Sequence, residues 1–350
     1  MSTIAAGLDS LSPSRESLFA PSSADVVAAE VRAGLTSNPK TLSPWLFYDE
    51  RGSELFEEIT ELPEYYLTRT ERALFSAHAD EIIRRASEPT GNDPAPTLTL
   101  IELGAGTATK TGILLSAAVR HQRTVVYQPV DVSETALIQA SENIRANIPG
   151  VTVRCQVADY TTQALPLNRL PDTRTLALYI GSSIGNFSPE DARGVLRNLR
   201  AQLLPGDKLL LGTDLVPGES KTISQLIAAY NDASGTTAAF NLNILERLNR
   251  ELDADFNLDA FQHDARWNAS ESRIEMHLVS DLPQQVHIPA NSAGPALTLK
   301  FAQGETIHTE NSHKFTLERV RTLLQVSGFS LTHTWTDPQH LFAVNLATAI

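Results

Sequence analysis

A single cysteine, Cys155, two methionines and 6% aromatic residues mark what this 350-residue chain has little of. One thiol excludes an internal disulfide framework and a thiolate metal cluster. Cys155 falls in "VTVRCQVAD", a strand-like run in which a buried, inert thiol is expected. Positive charge is also scarce, with 28 Lys and Arg against 41 Asp and Glu, a net charge of −13 and a pI near 5.2. That balance argues against a nucleic-acid partner or an anionic membrane surface. No apolar run reaches the ~18 residues of a membrane-spanning helix, and the first 25 residues lack the basic start and apolar core of a secretory signal. Nine histidines show no HExxH or other tight ligand spacing, so no metal is expected. What remains is a cytoplasmic globular chain, 42% apolar, long enough for one large domain or two modest ones. Residues 1–23, rich in Ser and Pro, are expected to be disordered.

From residue 97 a regular rhythm sets in. "TLTLIELGAG", "TVVYQPVDVS", "VTVRCQVAD", "TLALYIGSSIGN" and "KLLLGTDLV" read as strands. Helical segments such as "TKTGILLSAAVRH", "ETALIQASENIRANI" and "PEDARGVLRNLRAQL", the last with Pro189 at its start, separate them. Alternation of this kind predicts an α/β fold with a doubly wound, mostly parallel sheet. "FSLTHTWTDPQHLFAVNLATAI" closes the chain as an antiparallel hairpin on the sheet edge. Two segments break the rhythm. Before the sheet, Thr68 and Glu71 are spaced as a capping box for a helix through Ile83, and "SEPTGNDPAPT" follows as a surface loop. Between the fifth strand and the helix "LERVRTLLQVSG" lie nearly a hundred residues, too many for a loop. Residues 24–69 and 217–313 are therefore expected to form a second, α+β lobe, with 70–216 and 314–350 forming the sheet domain. That lobe is expected over the carboxyl edge of the sheet, where ligands bind in such folds.

"IELGAGT" carries the first chemistry. Gly104 and Gly106 let the backbone approach a ligand at a strand-to-helix turn. The third glycine of a dinucleotide fingerprint would fall at Thr109, which counts against NAD. Glu102 with the two glycines is similar to the E-x-G-x-G motif of class I S-adenosylmethionine methyltransferases. Asp131 ends the second strand, where an acid accepts hydrogen bonds from both ribose hydroxyls. Asp159 and Tyr160 end the third, where this class places an acid and a neighbour around adenine.

A broader resemblance spans most of the chain from about residue 30. "FYDERGSELFEEITELPEYYLTRTE", "IGSSIGNFSPE", "LLLGTDLV", "YNDASGTTAAFNLNIL", "NRELDADFNLDAFQH" and "RWNASESRIEM" resemble the L-histidine Nα-methyltransferases of the ergothioneine pathway. The resemblance implies a class I, Rossmann-like methyltransferase sheet that uses S-adenosylmethionine as methyl donor and needs no metal. It implies three methyl transfers to the α-amino nitrogen of L-histidine, giving hercynine, by a monomer that binds only small molecules. It assigns Asn186 and Tyr230 to the amino-acid end of the substrate, and Tyr48 and Tyr65 to the pocket wall, with Tyr48 and Asn186 at the reacting amine. Phe56, Gly104, Gly106, Lys110, Asp131, Asp159 and Tyr160 carry over as cofactor contacts, and Met276 as a pocket residue. Read without the family, Tyr65 is equally a core aromatic, Asn186 a turn residue and Lys110 a solvated helix residue. Phe56, Tyr230 and Met276 then read as core filling, and the acids of "ELFEEITELPE" as a solvated helix face.

"HTENSHKF", residues 308–315, offers a substrate signal. In an extended segment Glu310 and Ser312 share one side; as a turn they would only dress the start of the helix that Thr316 caps. In the family a glutamate and a serine at this spacing read the imidazole. A carboxylate accepts the ring N–H and a hydroxyl serves the other nitrogen. An N-methyltransferase acting on free tryptophan or tyrosine is the nearest alternative, and an NAD-dependent oxidoreductase a remote one. An indole, with one N–H and no acceptor, would not use both groups.

Overall fold

A computed structural model describes residues 23–89, 95–106, 108–161, 165, 167 and 171–350. The expected disorder of residues 1–23 lies almost wholly outside that range, as does the centre of the loop at 90–94. The chain opens with α1 (Ser23–Thr36), the short β1 (Lys40–Thr41), α2 (Glu50–Glu61) and α3 (Tyr66–Ala86). β2 (Thr97–Leu103), α4 (Thr111–Gln122), β3 (Val125–Asp131), α5 (Glu134–Asn147), β4 (Val151–Val153) and β5 (Gln156–Val157) follow. β6 (Thr173–Tyr179), α6 (Pro189–Gln202) and β7 (Lys208–Asp214) complete the alternating part. The insertion holds α7 (Ile223–Ala228), α8 (Thr236–Leu252), β8 (Phe261–Asn268), β9 (Arg273–Ser280), β10 (Gln284–Ile288), β11 (Leu297–Phe301) and β12 (Thr306–His313). α9 (Leu317–Val326), β13 (Phe329–Thr336) and β14 (Phe342–Ala349) end the chain.

The main sheet runs β13-β14-β7-β6-β2-β3-β4, with β5 also paired to β3. Its alternating-region strands are parallel, and the closing hairpin is antiparallel. Successive residues of a strand face opposite sides, and β2 shows why its run is apolar throughout. Leu98 and Leu100 pack with α3, α4 and α5, whereas Ile101 and Leu103 pack with α6 and α9. Strands covered on both faces need such continuous hydrophobic runs. The order reverses at β2, flanked by β3 and β6, so a crevice opens at the carboxyl ends of these strands.

A second sheet, β1-β12-β9-β8, and the separate hairpin β10-β11 come from the segments that broke the rhythm. Residues from Val27 to Leu67 share one apolar cluster with residues from Leu226 to Ile307. α8 lies across β8 and β9 and against α2, burying Phe240, Ile244, Leu245 and Leu248. Among the described residues no helix is long and apolar enough to cross a membrane.

Two local expectations are corrected. Thr68 and Glu71 form no capping box: α3 begins at Tyr66, so both lie inside the helix, and the Glu71 carboxylate is fully buried against Lys110 and the Gly181 N–H. A partner of opposite charge outcompetes a local cap. The third strand is broken into β4 and β5, and Cys155 in the break is exposed, not buried. "HTENSHKF" is strand through His313, and Thr316 accepts the Arg319 N–H at 3.1 Å as the cap of α9.

Candidate active site

The turn after β6 brings the two sheets together. Gly185 packs so closely on β12 that a Cβ there would stand 2.7 Å from the His313 carbonyl oxygen. That contact holds the 3-10 turn Ser183–Asn186 beside the strand and brings Asn186 into the same cleft as Glu310, whose carboxyl it helps to hold down. β12 is irregular between His308 and Glu310, the kind of bulge that re-aims a side chain. Thr309 turns inward to the Asn241 side chain at 2.8 Å. Glu310 and Ser312 face the opposite side and line one cleft with Tyr48, Phe56, Tyr65, Asn186, Tyr230 and Met276.

Aromatic rings form its wall. Tyr48 meets Phe56 edge-on at 5.7 Å, Phe56 meets Tyr65 at 6.4 Å, and Tyr65 meets Tyr230 at 6.1 Å. Such faces stabilise a quaternary ammonium by about 0.5–2 kcal/mol. Burial, reinforced by Glu310, pushes the Tyr48 hydroxyl well above the usual tyrosine range; burial does the same to Tyr65 and Tyr230. All three are therefore neutral phenols at physiological pH. Glu310 is pushed up to about 7 by burial, with the Lys314 charge and the Asn186 hydrogen bond opposing the shift. It is poised between a neutral and a charged form.

Of the expected cofactor contacts, Gly104, Gly106, Lys110, Asp131, Asp159 and Tyr160 lie around the crevice of the main sheet, whereas Phe56 stands in the aromatic wall of the cleft. Gly104 has φ +66°, and a Cβ on it would approach the Tyr160 hydroxyl to 3.2 Å. The Gly106 N–H donates to Asp131 Oδ2 at 3.0 Å, and Asp131 Oδ1 accepts the Ser133 N–H at 3.0 Å. Among the described residues nothing lies within 4 Å of a Cβ built on Gly106, so the turn borders open space. Asp159 accepts from the Thr161 backbone at 2.9 Å. Lys110 is not a solvated helix residue, because its ammonium pairs with Glu71 and reaches the turn at Gly181. The two groups of residues adjoin: Glu310, Tyr160 and Asp131 all act to raise the Tyr48 hydroxyl.

Sequence reasoning missed four buried charges, Glu71, Asp214, Lys221 and Lys314. Glu71 was hidden as an apparent cap. Asp214, fully buried at the end of β7, accepts from Lys221 at 2.5 Å, Lys314 at 2.8 Å and the Tyr66 hydroxyl at 2.8 Å. Its place at a strand end, like that of Asp131, was the available signal. Lys314, two residues beyond Ser312 in "HTENSHKF", reaches Ser312 Oγ at 2.8 Å and the Tyr230 hydroxyl at 2.7 Å. Glu102, in the motif itself, turns inward to accept from Thr111 at 2.7 Å and from Tyr127; burial still raises it to about 7.

A parallel sheet reversing at β2, a two-glycine turn over open space and an acid at the end of β3 define a class I S-adenosylmethionine-dependent methyltransferase. The histidine-specific, S-adenosylmethionine-dependent methyltransferase model matches residues 27–349, and the chain belongs to that family. It is 44% identical over 331 residues to the histidine N-alpha-methyltransferase of Mycolicibacterium smegmatis, covering 94% of this chain and 97% of that protein. The corresponding protein of Mycobacterium tuberculosis is 40% identical over 91% of this chain and 93% of its own length. Ergothioneine biosynthesis protein 1 of Neurospora crassa is 34% identical over 216 residues, which are 60% of this chain and 23% of that protein.

Proposed function

We propose that the chain transfers three methyl groups in succession from S-adenosylmethionine to the α-amino nitrogen of L-histidine, yielding hercynine for ergothioneine biosynthesis. The observation that carries this reading is Glu310 and Ser312 side by side on β12, facing the cleft that Asn186 and Tyr230 also line. Relatives named as histidine N-alpha-methyltransferases support it along nearly their whole length.

In this reading the chain works as two lobes, 24–69 with 217–313 over 70–216 with 314–350, and the substrate lies between them. Ionised Glu310 accepts one ring N–H and Ser312 addresses the other nitrogen. Asn186 holds the amino-acid end beside the Tyr230 ring, and Tyr65 and Met276 close the wall. Gly104, Gly106, Lys110, Asp131, Asp159, Tyr160 and Phe56 hold the methyl donor, and the open turn at Gly106 suits a ligand backed by the Asp131 carboxylate. Bound there, S-adenosylmethionine supplies an electrophilic methyl group on a sulfonium centre. The neutral amine lone pair forms the new N–C bond as the C–S bond breaks and its electron pair stays on sulfur. The amine gives up a proton before each transfer, and Tyr48, a neutral phenol, does not take it as a phenolate would. Tyr48 orients the amine, and positioning of this sort contributes much of the rate in a displacement.

The test is a mass-spectrometric assay of the purified chain with S-adenosylmethionine and a panel of free amino acids. Mono-, di- and trimethylhistidine are expected. Preferential methylation of tryptophan or tyrosine would overturn the substrate, and no methylated amino acid at all would overturn the activity.

A further inference from the structure

Lys314 is fully buried, yet its ammonium sits at the back of the residues that would read the ring. It has three N–H donors, and three acceptors surround it: Asp214 Oδ2 from β7, the Tyr230 hydroxyl beyond α7, and Ser312 Oγ on its own segment. The other charged and titratable groups around it are Lys221 and the Tyr66 hydroxyl, which share Asp214, with Glu310 and His313 on the strand that leads into it. All three donors are thereby used, and none is left for a substrate.

The consequence falls on Ser312. Its oxygen has two lone pairs. One takes the Lys314 N–H. The Tyr230 hydroxyl stands 2.8 Å away, and one of the two hydroxyls must donate to the other. A phenol is the more acidic group and its lone pair is partly delocalised into the ring, so Tyr230 donates and Ser312 accepts. Ser312 is then saturated as an acceptor, and its own proton has nowhere to point but into the cleft.

We propose that Lys314 is a positioning residue that fixes Ser312 as a hydrogen-bond donor, so that the site takes the imidazole neutral, with its N–H toward Glu310 and its bare nitrogen toward Ser312. The proposal rests on histidine being the substrate. It assigns a tautomer and a protonation state, so a free histidine that arrives as imidazolium must give up a proton on binding.

That proton is measurable. Calorimetric titration of L-histidine into the full chain saturated with S-adenosylhomocysteine, near pH 6 in buffers of different ionisation enthalpy, counts protons released. Lys314→Met removes both the charge and the donor, and should release up to about three-quarters of a proton fewer per histidine than wild type, the share of free imidazole that is protonated at pH 6. Tyr230→Phe keeps the lysine but frees a lone pair on Ser312. It should show the same deficit, and it carries the test alone if Lys314→Met does not fold. Because Lys314 also holds Glu310 down, its removal shifts the Glu310 proton as well, so the Tyr230→Phe count, with the lysine charge intact, decides. Merely structural damage there would lower affinity and leave the count where it was. Equal release in wild type and Tyr230→Phe overturns the proposal. Failure of wild type to bind histidine, with another amino acid binding instead, overturns the substrate reading and this inference with it. The two failures are told apart by the wild-type titration.

Discussion

Replacing Glu310 by glutamine should stabilise the free protein while crippling its use of histidine. Burial raises this carboxyl from 4.5 to about 7. The folded chain therefore keeps the proton up to about pH 7, whereas the unfolded chain releases it near 4.5. Across that window the unfolded state binds fewer protons, so wild-type stability falls as pH rises, and above pH 7 the whole penalty is present. At 1.36 kcal/mol per pKa unit the shift corresponds to about 3 kcal/mol as an upper bound. Glu310 is only half-buried at the cleft, so about 1–3 kcal/mol is the expectation. Glu310→Gln cannot ionise and escapes the penalty. Urea unfolding without ligands should show the variant gaining on wild type as pH goes from 5 to 8. The substrate effect runs the other way. Loss of a charge-assisted bond of about 1.5–3 kcal/mol should raise KM for histidine roughly 10- to 100-fold. A stability difference that stays constant with pH would show that Glu310 is not held protonated by burial, and the reasoning would fall.

Two further outcomes test the cofactor side. Glu71→Gln keeps an acceptor for the Gly181 N–H but leaves Lys110 without its buried counter-charge, so a loss of about 1–3 kcal/mol in urea unfolding is expected. Calorimetric titration should also show weaker S-adenosylmethionine binding. Gly104→Ala meets both a φ of +66° and the nearby Tyr160 hydroxyl. About 1–2 kcal/mol of backbone strain is expected, and cofactor binding should fall several-fold with histidine recognition affected only through it.

Much of this was readable because it is local or periodic. β2 announces itself through an apolar run ending in Gly104, and α6 through Pro189 at its start. The cleft residues were legible chiefly through long family motifs, since Tyr65, Asn186 and Met276 each have a plain structural reading when seen alone. Glu71 was misread because the T-x-x-E spacing satisfies a local rule. Its true partners, Lys110 and Gly181, lie 39 and 110 residues away. Cys155 was misplaced for a related reason: "VTVRCQVAD" is apolar enough for one strand, and the break between β4 and β5 leaves no periodic trace.

Asp214, Lys221 and Lys314 show why pairing across the chain escapes a linear reading, and what it accomplishes. The insertion leaves the main sheet just beyond Asp214 and returns at Lys314, 100 residues on. The two crossings are stitched side by side: the Phe315 N–H donates to the Asp214 carbonyl at 2.8 Å, and the Val216 N–H to the Phe315 carbonyl at 3.0 Å. One aspartate clasps both lysines at this junction, and burial leaves Lys221 at about 8 while the two ammonium charges hold Asp214 below its usual range against the cost of burial. A buried cluster of this kind contributes little net stability compared with apolar packing, because desolvation offsets the Coulomb attraction. Its contribution is geometric. Ser312 lies two residues before the clasp, and the turn bearing Asn186 is tied to the same place, since Ser182 Oγ accepts the Asp214 N–H at 2.9 Å. The groups that would read the ring and those that would hold the amine are thus referenced to one fixed point at the edge of the main sheet. A shift of the second sheet on its outer side would then leave the distance from Ser312 to Asn186 unchanged, and that distance is what a displacement at the α-nitrogen depends on.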